Sequence, residues 1–122
     1  MNQNPLDFEQ LIKETEKLLR SDPSAEQAVA VLTSKGNIYS FANHNVMSGS
    51  VEDEIAFVRA LMENGDAEIR YMVCMWADAA PDVPSCHLRN LLAEINPANR
   101  NIEILLKGGE GFSVRSLKVL AS

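Results

Sequence analysis

Apolar residues recur along the start of the chain at Phe8, Leu11, Ile12, Leu18 and Leu19, the spacing of one face of a helix. This predicts a helix over residues 6–20 that packs one side onto a core. Asn4-Pro5 supplies its start, with Asn as the cap and Pro at the first helical position. Ser21-Asp22-Pro23-Ser24 ends it. The pattern then changes. Ala28 to Leu32 is a short, unbroken apolar run, the mark of a strand buried on both faces. Lys35-Gly36-Asn37 is a turn, and residues 38–42 return as a second strand, so the two form a hairpin.

A polar loop follows over 43–50. Ser50 is placed to cap a helix from Val51 to Asn64, stopped by Gly65. Val51, Ile55, Ala56, Phe57, Val58, Ala60, Leu61 and Met62 leave that helix few polar positions, which predicts that it is largely buried. Residues 69–77 read as a central strand in which Met75 and Trp76 belong to the core. Residues 78–83 read as a loop. Pro84-Ser85 opens a helix to about Asn96, stopped by Pro97. Residues 102–106 are another strand, 107–111 a turn, and 112–120 a last strand or short helix. Strands alternating with helices predict an α/β fold with a mixed sheet and helices on both faces.

The length of 122 residues fits a single domain spanning 1–122. Composition, 46% hydrophobic and 23% charged, is that of a globular protein. No stretch is long and apolar enough to span a bilayer. The polar segment Met1 to Asp7 lacks the basic start and apolar run of a signal peptide, so a cytoplasmic location is expected. The net charge of −6, with scattered Lys and Arg, argues against nucleic acid as a main ligand. Cys74 and Cys86 make no disulfide framework, and Cys74, inside an apolar run, reads as a buried thiol.

Three segments carry more than a fold class. Residues 29–43 (VAVLTSKGNIYSFAN), 51–65 (VEDEIAFVRALMENG) and 69–97 (ending PSCHLRNLLAEINP) resemble, in order, the first hairpin, the first ligand-bearing helix, and the third strand with its Pro-Cys loop and helix of the small cytidine deaminases. The first and the end of the third are the specific pieces. The resemblance covers nearly the whole chain and implies a three-layer α-β-α fold. Zinc deaminases use a His or Cys two residues before a Glu, and a later Pro-Cys-x-x-Cys.

Carried over by residue, the resemblance fails at the metal. Aligning Ala56 and Ala60 with the family's small residues puts Val51 at the first ligand and Asp53 at the catalytic Glu. Shifting that helix by one residue makes Glu52 the ligand and Glu54 the acid instead. Aligning Pro84 and Arg89 puts Ser85 and Leu88 at the two cysteines. Valine and leucine cannot ligate zinc, and serine is a poor ligand. Asn43 of the substrate loop is kept, but Asn45 stands where a Glu is expected. Glu26-Gln27 lie where a Phe is expected. The vestigial positions are therefore Val51, Asp53, Ser85 and Leu88, and no zinc or other cofactor is expected.

Each residue also has a plainer reading. Ser85 is more simply an N-cap, and Asp53 a first-turn acid that complements the helix dipole. Asn43, His44 and Asn45 either bind a ribose or base or satisfy a turn, and both readings stay open. Cys86 and His87 are adjacent and point apart, so a replacement metal site completed by His44 and Glu52 is the weaker alternative. Val51 and Leu88 put apolar volume where a metal centre would leave unpaired polar groups. Three functions remain. The first is an inactive, deaminase-like pseudoenzyme that acts as a binding or assembly module; the resemblance implies that it is a homo-oligomer, a dimer or tetramer. The second is a nucleoside or nucleobase binder using Asn43, Asn45, Asp53 and Ser85. The third is a hydrolase of the deaminase class with a relocated metal or a metal-free site.

Overall fold

A computed structural model describes residues 5–78, 81–108 and 111–116, with side chains from 8 to 78 and 81 to 106. Helix α1 (Pro5–Ser21) leads into strands β1 (Gln27–Thr33) and β2 (Ile38–Asn43). A 3₁₀ turn (Val46–Ser48) precedes helix α2 (Glu52–Glu63) and strand β3 (Ile69–Trp76). Then come a two-residue strand β4 (Pro81–Asp82), helix α3 (Cys86–Ile95), a second 3₁₀ turn (Pro97–Asn101), and strands β5 (Glu103–Gly108) and β6 (Gly111–Ser116). The Asn4 cap lies outside the described residues, as do residues 117–120 of the last predicted element. Within 112–116, the strand is the alternative that forms.

The strand order is β2-β1-β3-β5-β6, with β4 paired to β3. β1 runs antiparallel to β2 and β3, β3 parallel to β5, and β5 antiparallel to β6, which makes the predicted mixed sheet. Alternation along the strands divides the core into two. Val29, Val31, Met72, Cys74 and Ile104 face α2 and α3, meeting Phe57, Val58, Leu61, Leu88 and Leu92. Ala30, Tyr71, Val73, Met75 and Leu105 face the other way, onto Phe8 and Leu11 of α1. The result is the predicted three-layer α-β-α arrangement with a twofold-alternating central sheet. Gly36 turns the hairpin at φ +89°, a backbone region open to glycine at no steric cost.

Several expectations are corrected. Ser50 does not cap α2; Val51 occupies the cap position and makes no side-chain capping hydrogen bond. Three acids in the first turn, Glu52, Asp53 and Glu54, complement the helix dipole instead. Nor is α2 largely buried. Only Glu54, Phe57, Val58 and Leu61 are enclosed, while Ile55 and Met62 are 38% and 56% exposed. A single helix face meets the sheet, and the rest of this apolar helix faces outward. Trp76 is half-buried rather than core, because its indole Nε1 reaches out to Asp82 Oδ2 at 2.8 Å. The predicted 78–83 loop includes β4, whose Pro81 and Asp82 pair with Met75 and Cys74.

Candidate functional site

The sheet register puts Asn43, Gln27 and Trp76 in one row, at the end of β2, the start of β1 and the end of β3. The starts of α2 and α3 lie over this end of the sheet, so short loops deliver their first residues to a common place. Polar side chains buried there must find partners among themselves.

They do so around Glu54, which is 1% exposed. Its Oε2 accepts from Asn43 Nδ2 at 3.0 Å and from Ser85 Oγ at 2.6 Å, and its Oε1 lies 3.0 Å from His87 Nδ1. Ser85 is also the N-cap of α3, accepting from Leu88 N at 3.0 Å. Its hydroxyl thus caps one helix and donates to an acid on the other. Asn43 is fully buried, and its Oδ1 has no partner among the described residues.

A second cluster sits beside the first. His44 Nε2 lies 2.7 Å from Asp22 Oδ2, and His44 Nδ1 lies 3.0 Å from Asp53 Oδ2, which also accepts from the His44 backbone N–H at 2.8 Å. Hydrogen bonds from Asp22 and then Asp53 raise the His44 pKa above its ordinary value, against the opposing pull of desolvation. Only an imidazolium donates from both ring nitrogens at once. This cluster ties the α1–β1 loop, the β2–α2 loop and the first turn of α2 together.

Of the residues singled out by sequence, Asn43 and Ser85 converge on one carboxylate. Asp53 points to His44 instead, and the buried acid is the next residue, Glu54, which the alternative helix register placed in that role. Asn45 is exposed and adopts a left-handed backbone at φ 57° where it opens the 3₁₀ turn, a conformation Asn tolerates well. Leu88 is fully buried, and Val51 is half-buried. His87, treated by sequence as incidental, completes the Glu54 network. Its position three residues after Pro84, on the first turn of α3, was the available signal.

A zinc ion does not fit this donor set. Ser85 Oγ is committed to Glu54 and to the helix cap, and Leu88 and Val51 offer no donor atom. Cys86 is exposed, with Arg89 Nη2 donating to its sulfur at 2.8 Å. Among the described residues, no three His, Cys, Asp or Glu side chains gather as a group that could hold a metal ion. No helix among them is long and apolar enough to cross a membrane. Two clefts flank the network. One of about 220 Å³ runs past Gln27, Ser85 and Cys86, and one of about 580 Å³ lies between Glu26, Met47 and Trp76.

The layer order, the sheet and two helix starts meeting over one sheet end define the cytidine deaminase fold. Cytidine deaminase from Mycobacterium leprae matches the chain with a TM-score of 0.69 at 16% identity, over 93% of this chain and 96% of that one. Cytidine deaminase from Mycobacterium tuberculosis gives 0.66 at 22% identity, over 93% of each chain. That from Burkholderia pseudomallei gives 0.62 at 12% identity, over 92% of this chain and 94% of that one. No family model and no curated protein matches the sequence.

Proposed function

We propose that the chain is a catalytically inactive protein on a cytidine deaminase scaffold, without a zinc site, that works as a binding or assembly module. The observation that supports this best is the closed network on Glu54. Asn43, Ser85 and His87 all spend hydrogen bonds on one buried carboxylate, and Leu88 adds apolar bulk one helical turn from Ser85. Deamination needs an activated water, and water at neutral pH is a poor nucleophile without a metal. The purified protein should carry no stoichiometric zinc and release no ammonia from cytidine or deoxycytidine. About one zinc per chain in tetrahedral N/S coordination would overturn the reading.

Assembly would use the outward face of α2. Ile55 and Met62, seven residues apart and both exposed, lie on one side of the helix. A homodimer or tetramer would cover them.

A second reading, nucleoside or nucleobase binding beside Asn43, Asn45, Asp53 and Ser85, is favoured by the polar side chains that gather around Glu54 next to a cleft lined by Ser85. A ligand at 100 times its dissociation constant should stabilise the fold by about 2.7 kcal/mol, read as a rise in melting temperature. A nucleoside panel that produces no shift at millimolar concentration removes this reading and leaves the first.

A further inference from the structure

The larger cleft, of about 580 Å³, is lined by Pro23 to Glu26 of the α1–β1 loop, by Met47 of the β2–α2 loop and by Trp76 at the end of β3. Two side chains link the one loop to the other. Glu26 Oε1 accepts from Met47 N at 2.9 Å, and His44 Nε2 lies 2.7 Å from Asp22 Oδ2. The second link runs on through the ring, since His44 Nδ1 lies 3.0 Å from Asp53 Oδ2 on the first turn of α2. Asp22 also anchors the cleft wall. Its Oδ1 accepts from both the N–H and the hydroxyl of Ser24, at 3.1 and 2.7 Å, and Ser24 lines the cleft. The charged groups that act on the imidazole are Asp22, from the loop after α1, and Asp53, from α2. A protonated ring donates to both acids. A neutral ring carries one N–H, so in either tautomer one carboxylate faces a bare lone pair and the other bond loses its charge assistance. The ring is 33% exposed, so water can take its proton.

We propose that His44 is a pH-operated latch on this cleft: protonated, it holds the two loops together and shields Trp76; deprotonated, it releases the Asp22 loop and the cleft opens. The bonds to Asp22 and Asp53 hold the imidazolium to a higher pH than the ordinary value of 6.5. The latch is therefore closed in mildly acidic buffer and opens as pH rises through that higher value.

Trp76 is the one tryptophan of the chain, so its fluorescence reports on this cleft alone. The test measures acrylamide quenching of Trp76 in the full chain from about pH 6 to pH 9, the range in which histidines change charge, beside an NMR titration of the His44 ring. Trp76 should lose its shielding from the quencher as pH rises, with the same midpoint as the ring. His44→Gln has no titrating group at this position and should be quenched to the same extent across the range. Asp22→Ala, which removes the acceptor on the first loop, should be quenched at the acidic end as readily as wild type at the alkaline end. A histidine that only stabilised the fold would move the melting temperature and leave the quenching alone. A flat wild-type curve, a midpoint different from that of the ring, a transition that survives His44→Gln or an Asp22→Ala chain still shielded in acid overturns the proposal. The first two comparisons use the wild-type chain and decide the matter even if a variant does not fold.

Discussion

Leu88 and His44 show two ways in which a single residue holds this site together. Leu88 is fully buried between α3 and the sheet. Leu88→Ala should cost roughly 2–5 kcal/mol, the range for deleting a buried leucine and leaving a cavity, and Leu88→Asp should cost more because it buries an unpaired charge. Denaturant titration measures both, and a near-neutral Leu88→Asp would refute the enclosed position. His44 works through charge. Its pKa lies above 6.5, raised by its bonds to Asp22 and Asp53. Asp22 lies below 3.8, lowered first by Ser24 and then by His44. A raised histidine contributes stability that is fully present below its unfolded pKa and lost as pH rises through the folded one. A lowered aspartate contributes stability that is present above its unfolded pKa and lost as pH falls through the folded one. The melting-temperature gap between wild type and His44→Gln should therefore be widest in mildly acidic buffer, at about pH 5–6, and close towards pH 9 and in strong acid. A gap that widens with pH would show that the imidazolium is not the stabilising form.

Elements are joined by side chains that no periodicity announces. Asn99, in the second 3₁₀ turn, is fully buried. Its Nδ2 donates to Ala67 O and Leu92 O, each at 2.8 Å, and its Oδ1 accepts from Ile69 N at 2.8 Å. One amide thus stitches the end of α3 to the start of β3. Asn99→Ala would remove this partner from the Ile69 N–H and the Ala67 carbonyl, at about 1–3 kcal/mol each before relaxation, while Leu92 O keeps the Asn96 N–H. Asn101→Ala, two residues on and exposed, should stay within about 0.5 kcal/mol of wild type. Comparing their unfolding midpoints tests the stitch; equal midpoints would remove it. In sequence both are asparagines in a polar turn. Helix α2 teaches the same lesson in reverse, since its composition reads as buried while only one face meets the sheet.

At the scale of the molecule, the outward apolar face of α2 sets the question of assembly. Light scattering on the wild-type chain should give the mass of two or four chains. Replacing Ile55 and Met62 together with Asp should give the mass of one, because like charges buried at a closed interface are costly. A monomeric wild type at high concentration would remove the assembly reading and leave ligand binding to be tested alone.

The elements, the mixed sheet and the three layers were legible in the order of residues, because apolar periodicity and turn chemistry are local properties. That Val51 and Leu88 carry no metal-ligating atom was legible too, since it depends only on the residue types. Which acid occupies the site was not. Asp53 and Glu54 are neighbours on one helix turn, and about 100° of rotation separates them. Packing of Phe57, Val58 and Leu61 against the sheet sets that rotation, turning Glu54 inward to Asn43, Ser85 and His87 and leaving Asp53 to His44. The roles of His87 and Asn99 have the same origin. Each is given by a partner about 30 residues away in sequence, and only the folded chain brings those together.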